Sequence, residues 1–395
     1  MILAQKIRLK PTEKQEIIFW KSAGVARWSY NYYISERNRL YNEWVQNGKQ
    51  GKFIFKESEL RKYINNVLKP TTHKWLSEVG SNVMKQGVKD ADTAFIKYFQ
   101  GLSGKPKLKS KHKSKISFYV NYESIVRKQG GFQGEKLGFV RTCSPLPKLP
   151  KGKKYSNPRI SYNGKYWYIS VGYEVAERNE ELTDESLGID LGIKDLAICS
   201  NGKKYKNINK IKEVKRLENK LRREQRKLSR KMTANIKEYK VVGNKHYPIW
   251  IRPLRECKNI QKQNQVIRLL NKRLTDIRNN YLHQTTSEIV KTKPSRIVME
   301  NLNVSGMMKN KHLAKLIAQQ KFFEFKRQIK YKSRLIGIPV IEVNKFYPSS
   351  KMCSCCGNVK KELKLSDRIY KCSICGLVID RDYNASINLA NYKLV

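Results

Sequence analysis

The hydrophobic positions change period several times along the chain. Ile2 to Leu9 alternates as a short strand does. Pro11-Thr12-Glu13-Lys14-Gln15 then opens a helix, with Thr12 placed to cap the Gln15 amide and the Gln15 side chain able to reach back, a capping box. Helical spacing continues with breaks to about Tyr98, and Trp20, Trp28, Tyr32 and Tyr33 are expected to pack this helical unit. From Ile116 to Val175 the period shifts toward two. Asn163-Gly164, between Arg159–Tyr162 and Lys165–Ile169, predicts a hairpin closed by a type I′ turn. The opening strand fits this β-rich unit, with the helices inserted between.

A different pattern begins near Ser186. Leu187–Ile193 reads as a buried strand interrupted by one carboxylate, Asp190, and Ala197-Ile198-Cys199 as a second strand that Asn201-Gly202 turns back. Long basic helices are expected next. Ile211, Val214, Leu217, Leu221 and Leu228 mark one apolar stripe, and Ile267, Leu270, Leu274, Ile277 and Tyr281 mark another. Arg296–Glu300 is a further buried strand, ending on a carboxylate. A helix through about Leu335, the strand Pro339–Val343 and a cysteine cluster follow. Asp380–Ala390 reads as a helix start.

Charge narrows the partner. Lys and Arg total 82 against 33 Asp and Glu, a formal net charge of +49 spread along most of the 395 residues. A chain this long is expected to form two or three packed units. A surface so basic repels itself unless an anion neutralises it, and its spread suits a long polyanion better than a small phosphate. The 22 Tyr and 6 Trp exclude a disordered basic tail. Lys105, Lys107, Lys109 and Lys111, in the apolar-poor run Lys105–Lys113, read as a phosphate-binding strip. Arg222, Arg223, Arg226 and Arg230 lie off the first helical stripe and are open to phosphates or to solvent alone. No apolar run reaches the ~20 residues of a membrane span. The N-terminus lacks the apolar core of a secretory signal, so the cytoplasm is the expected compartment.

Two constellations carry chemistry. Cys353-Ser354-Cys355-Cys356-Gly357 and Cys372-Ser373-Ile374-Cys375-Gly376 contain two C-x-x-C turns, each followed by a glycine that permits the tight bend. Four thiolates, from Cys353, Cys356, Cys372 and Cys375, select one structural Zn²⁺. Cys355 is surplus, and Cys143, Cys199 and Cys257 are expected to be ordinary buried residues. The second constellation is acidic. Asp190 interrupts an apolar strand, Glu300 ends one, and Asp382 starts a helix of small and apolar residues. Buried singly, each would need a partner or a proton. Converging, they would hold two Mg²⁺ about 4 Å apart, as phosphodiester cleavage requires. Sequence separation leaves both readings open.

Gly188-Ile189-Asp190-Leu191-Gly192, Val298-Met299-Glu300-Asn301-Leu302 and Asp380-Arg381-Asp382-Tyr383-Asn384-Ala385 resemble the three RuvC segments of the TnpB family, transposon-encoded relatives of the type V CRISPR effectors. Their order, their intervals and the knuckle before the last segment fit that family. The N-terminal half resembles it more weakly, through Leu9-Lys10-Pro11-Thr12, Trp28-Ser29-Tyr30-Asn31 and the Lys/Pro strip. The resemblance implies an α+β multidomain chain. An RNase H-like (RuvC) nuclease domain would span 183–345 and 377–395, with a zinc ribbon inserted at 346–376. A β-rich wedge domain (1–10 and 105–182) would precede it, holding a helical recognition domain (11–104). It implies an RNA-guided DNA endonuclease using an element-encoded guide RNA on double-stranded DNA beside a short adjacent motif, with Mg²⁺ and without obligatory oligomerisation. A cleavage-inactive DNA-binding repressor would have no need of the three acids, and a compact type V CRISPR effector would share the chemistry. Asn82 and Gln86, four apart on the predicted helix, suit bidentate reading of adenine in that motif. Asp380 and Asp382 compete as third acid. The family's spacing before Asn384-Ala385 implies Asp382, leaving Asp380 as a cap.

Overall fold

The computed structural model describes residues 1–111, 114–344, 346–364 and 367–393. His112 and Lys113 of the basic strip, and Lys345, Leu365, Ser366 and the last two residues of the expected nuclease and zinc segments, lie outside these. The chain divides into two compact units, Met1–Val175 and Ala176–Val395.

The first unit begins with strand β1 (Ile2–Lys10), followed by helices α1 (Glu13–Gln46), α2 (Glu57–Tyr63) and α3 (Ser81–Phe99). Strands β2 (Ser117–Tyr119), β3 (Val126–Lys128), β4 (Gly131–Gly134), β5 (Gly138–Thr142), β6 (Ser156–Tyr162) and β7 (Trp167–Glu174) complete it. The seven strands form one sheet in the order β2-β6-β7-β1-β5-β4-β3. The capping box is present: the Gln15 N–H donates to Thr12 Oγ1 (3.3 Å) and the Thr12 N–H to Gln15 Oε1 (3.0 Å). Phe19 carries α1 onto the sheet through an edge contact with Trp167 (5.2 Å between centroids) and a tilted one with Phe118. Trp20 departs from expectation. It is 40% exposed and lies on Tyr162 and Trp167 of the hairpin instead of among the helices. That hairpin is where the sequence put it, but its turn is not type I′. Only Gly164 takes a positive φ (101°), while the Asn163 side chain accepts the N–H groups of Lys165 and Tyr166 and closes the loop from position one.

In the second unit β8 (Ser186–Leu191), β9 (Asp195–Cys199) and β10 (Lys204–Lys206) precede helix α4 (Lys212–Thr233). A two-stranded ribbon of β11 (Ile236–Val242) and β12 (Lys245–Trp250) separates α4 from α5 (Lys258–Lys291). The sequence reading marked helical stripes on either side of it and no strand between them. Next come β13 (Arg296–Glu300), α6 (Val304–Met307), α7 (Ala314–Gln320), α8 (Phe322–Ile336) and β14 (Val340–Val343). The expected single helix to Leu335 is thus broken in three, with Lys321 between α7 and α8 in the left-handed region (φ 55°). A small pair, β15 (Ile369–Lys371) and β16 (Val378–Asp380), leads into α9 (Arg381–Ala390). The main sheet runs β10-β9-β8-β13-β14, with β8–β9 and β9–β10 antiparallel and β8–β13 and β13–β14 parallel.

Strand alternation sorts this sheet's faces. Leu187, Ile189, Leu191, Ile297 and Met299 pack with α5 and α8 residues such as Leu282, Phe325 and Ile329. The other face is covered by α9, where Leu389 meets Val298 and Val343. Gly188 sits on that second face. A Cβ there would lie 2.0 Å from the Ser386 carbonyl oxygen and 2.4 Å from the Ala390 nitrogen, so α9 lies directly on bare β8 backbone. No helix among the described residues is long and apolar enough to cross a membrane. Of the cysteines expected to be buried, only Cys199 is. Cys143, just past the end of β5, is exposed, and Cys257 at the start of α5 is half-buried.

Candidate active site and metal centre

Asp190 is two residues beyond Gly188 on β8, and Glu300 two beyond Val298 on β13, so both side chains project toward the α9 face. Ile189 pairs with Met299 in the parallel ladder, which sets Asp190 and Glu300 abreast at neighbouring strand ends. Asp382 enters from the first turn of α9. All three are half-buried. Burial first, then the charges of Glu300 and Asp382, hold the Asp190 carboxyl well above the usual carboxylate range, with Arg381 only partly opposing. Glu300 Oε1 accepts from the Ser349 hydroxyl. Asp382 Oδ1 accepts from Arg381 Nη2 (3.0 Å) and Nε (3.1 Å), with Arg368 at 3.9 Å. Asp380 does something else. Its Oδ1 accepts the N–H groups of Asp382 (3.1 Å) and Tyr383 (3.0 Å), capping α9. The three acids share a face and feel one another's charge, but among the described residues they are not drawn into one tight ligand cluster.

The cysteines are. The sulfurs of Cys353, Cys356, Cys372 and Cys375 all lie within 4.8 Å of one another. Cys353 and Cys375 are 3.6 Å apart, as are Cys356 and Cys372. Tetrahedral Zn–S bonds of ~2.3 Å would set sulfurs about 3.8 Å apart, so the quartet fits that ion. Gly357 and Gly376 follow the second cysteine of each turn at φ 75° and 73°. The Cys375 and Ile374 N–H groups pull the Cys372 thiol down to about 6. Cys375, despite the Leu377 N–H that favours its thiolate, is pushed up to about 12 by burial and its cysteine neighbours. Four like charges with nothing between them cannot all form, which is the electrostatic mark of a cation site. Cys355 is exposed and outside the quartet.

Sequence reading missed what joins the two centres. Asn384 and Asn388, one turn apart on α9, are fully buried. Asn384 Nδ2 donates to the Met352 carbonyl (2.7 Å) and its Oδ1 accepts the Ser354 N–H (3.0 Å). Asn388 Nδ2 donates to the carbonyls of Ser349 and Met352 (2.7 and 2.6 Å). The segment entering the first cysteine turn is therefore tied to the helix that carries Asp382. Two amides four apart in an otherwise small-and-apolar helix were the available signal.

The remaining candidates are dispersed. Gln86 Nε2 donates to Asp90 Oδ1 (2.9 Å), and Asp90 is gripped by Arg159 Nη1 and Nη2 (2.7 and 2.8 Å). They line a cavity of about 240 Å³ together with Lys109 and Lys111. Asn82 opens on a smaller neighbouring cleft beside Asn121 and Glu135. Lys105, Lys107 and Lys111 are exposed. Lys109 is pinned instead: Asn31 holds its backbone from both sides (2.8 and 2.9 Å), and its ammonium lies 3.5 Å from the centre of the Tyr30 ring. Arg222, Arg223 and Arg226 line an open groove of about 640 Å³ along α4 with Lys212, Lys215, Arg216 and Asn219. Arg230 is exposed just past it.

Known proteins resemble the chain along its whole length. A helix-turn-helix domain profile matches residues 1–47, a profile described as "Probable transposase" matches 169–311, and a "Cas12f1-like, TNB domain" profile matches 322–389. A Streptomyces pristinaespiralis protein named "Putative RNA-guided DNA endonuclease" is 27% identical over 98% of this chain and 88% of its own length. InsQ of Escherichia coli K12, bearing the same description, is 25% identical over 98% and 91%. The "TnpB-like protein L770" of Acanthamoeba polyphaga mimivirus is 23% identical over 100% and 74%. The Cas12f1 chain of a cryo-EM complex with sgRNA and target DNA superposes with a TM-score of 0.55 at 14% identity, covering 99% of each chain, and so shares the fold. With three acidic segments in order and a cysteine knuckle between the second and third, the chain is similar along its whole length to TnpB-like proteins and to proteins named RNA-guided DNA endonucleases.

Proposed function

We propose that the chain is an RNA-guided DNA endonuclease that cuts beside a short adjacent motif, with Asp190, Glu300 and Asp382 as its cutting centre. The convergence of these acids on one sheet face, where burial first and then the charges of Glu300 and Asp382 hold the Asp190 carboxyl above its usual range, carries the reading. A strand order of 3-2-1-4-5, with the first strand central and the last two parallel to it, supports an RNase H-like nuclease domain. The relatives named RNA-guided DNA endonucleases support the guide and the substrate. In this reading 183–345 with 377–395 cuts, 346–376 is its zinc ribbon, 1–10 with 105–182 is the wedge, and 11–104 is the recognition domain. Asn82 and Gln86 face the adjacent motif, and Lys105, Lys107, Lys111 and the α4 arginines face phosphates, while Lys109 anchors the strip to Asn31 and Tyr30.

Bound at the acids, two Mg²⁺ would activate water and absorb charge on the leaving oxygen. The protein's own contribution is placement. Asp190 and Glu300 offer carboxylate oxygens from rigid neighbouring strands, and the Ser349 hydroxyl fixes the rotation of Glu300. The Arg381 guanidinium pairs with Asp382 and holds its carboxylate in place. A zinc ion held by Cys353, Cys356, Cys372 and Cys375 would be structural, since all four positions are filled by protein ligands. Cys356→Ser is expected to lose bound zinc and soluble yield, and Cys355→Ser neither. Metal analysis of both proteins checks this, and equal loss would misassign the quartet.

Protein purified at moderate salt without nuclease is expected to carry a structured RNA, because a +49 chain retains its polyanion. Sequencing that RNA and replacing its guide portion should move the cut to the new complement. An absorbance ratio of nucleic-acid-free protein, or a cut that ignores the guide, would overturn the reading.

A further inference from the structure

The β11–β12 ribbon exposes large apolar and aromatic side chains on both of its faces. Pairing of Tyr239 with Pro248 and Val241 with His246 places these four on one face. Lys240 with Tyr247, and Glu238 with Ile249, share the other. Both faces are open: Tyr239 is 54% exposed, Val241 58%, Val242 55% and Tyr247 50%. Tyr239 and His246 rings meet edge-on at 6.5 Å, the one ring contact recorded on the ribbon among the described residues. An isolated two-stranded ribbon is marginal in water and needs something to pack against.

Its position says what that is. Helices α4 and α5 run antiparallel, since Lys231 near the end of α4 bonds Gln263 near the start of α5, while Glu213 at the start of α4 pairs with Arg273. The ribbon crowns this helical arm. The 22 residues of α4 span about 33 Å, so the tip stands roughly that far along the arm from the sheet that bears the acids. The basic groove of α4 lies along the arm. The ribbon adds Lys237 and Lys240 against Glu238. Rings and aliphatic side chains interleaved with lysines suit unpaired bases between phosphates. The DNA strand to be cut must reach the acids, whereas a strand held an arm's length away is one that is kept. The kept polyanion is the RNA.

We propose that the β11–β12 ribbon is an RNA-binding arm tip, on which Tyr239 and Tyr247 stack unpaired bases of the guide RNA outside its DNA-pairing portion. This rests on the RNA-guided reading above and goes beyond it.

The test uses the full-length chain and the RNA that copurifies with it, transcribed separately and end-labelled. Tyr239→Ala/Tyr247→Ala is expected to weaken binding on the order of tenfold or more per ring and to expose one unpaired RNA segment to nuclease. Tyr239→Phe/Tyr247→Phe, which keeps both rings, should restore affinity and footprint. Deletion of 236–251 offers a second variant, because the Asn235 side chain already clasps the Arg252 backbone at both its carbonyl and its N–H (2.8 and 3.1 Å), so a short glycine linker spans the gap. It should reproduce the alanine footprint. Unchanged affinity and footprint in both the alanine and the deletion proteins would overturn the proposal while leaving the RNA-guided reading intact. So would a loss confined to DNA binding, or a ribbon-dependent dimer in sedimentation, which would make a second copy the occupant. A parental protein that binds no RNA specifically would instead remove the reading on which the proposal stands, and the proposal with it.

Discussion

Asp190→Ala, Glu300→Ala and Asp382→Ala are each expected to cut guide-complementary DNA on the order of 10³-fold or more slowly, with guide-dependent DNA binding retained. Loss of a metal ligand removes several kcal/mol of transition-state charge stabilisation, and each ~1.4 kcal/mol is a factor of ten in rate. Binding should survive because, in the proposed role, the acids hold cations and read no sequence. Removing Asp190 also relieves the burial cost, and the repulsion from Glu300 and Asp382, that keep its carboxyl above the usual range, so Asp190→Ala should not lower, and can raise, the melting temperature. Asp380→Ala is the control. Its carboxylate accepts two N–H groups at the head of α9, so it should cost about 1 kcal/mol of stability and only part of the activity. Paired cleavage and binding assays on the four proteins decide this. Parental cutting by Asp382→Ala, or a dead Asp380→Ala beside it, would move the third ligand to Asp380.

The second large effect is expected at Gly188, which touches no substrate. Gly188→Val would drive a branched side chain into the Ser386 carbonyl and the Ala390 N–H, both backbone and unable to step aside. Overpacking of this kind costs about 1–3 kcal/mol or more, several degrees of melting temperature in a unit this size. Cleavage should fall further than stability accounts for, because the only escape is to lift α9, and Asp382 leaves with it. Thermal melts beside cleavage rates at a temperature where the variant is folded separate the two. A variant with parental melting and parental cutting would mean that α9 does not lie on β8.

What the sequence disclosed follows from how each feature encodes itself. Asp190 and Glu300 stand out because a carboxylate in an apolar strand violates the burial pattern locally, within a few residues. The cysteine turns are equally local, and the capping box at Thr12 and Gln15 is a contact between near neighbours. The misses are nonlocal or dilute. Asp90 stands one turn after Gln86 on α3 and its hold on that amide was open to reading, but its clasp by Arg159 from a distant strand was not. Lys109 looks like its neighbours in the strip until Asn31 and Tyr30 close on it. The β11–β12 ribbon hid inside a lysine-rich stretch whose alternation is blurred because both its faces are wet. Trp20 read as helix core because its spacing is helical, while the surface it covers belongs to a hairpin about 140 residues later.

The parallel pairing of β8 with β13, and the seating of α9 on both, also sets a timetable. A ribosome adding roughly 5–20 residues per second needs on the order of 10–40 s to travel from Asp190 to Asp382. Throughout that interval the first unit already has its complete sequence, and the basic face of α4 emerges early in it. The acids come together only once α9 has been made. A nascent chain therefore acquires its polyanion-binding surfaces well before it can hydrolyse anything, and a chain stalled or truncated between β13 and α9 should occupy nucleic acid without cutting it.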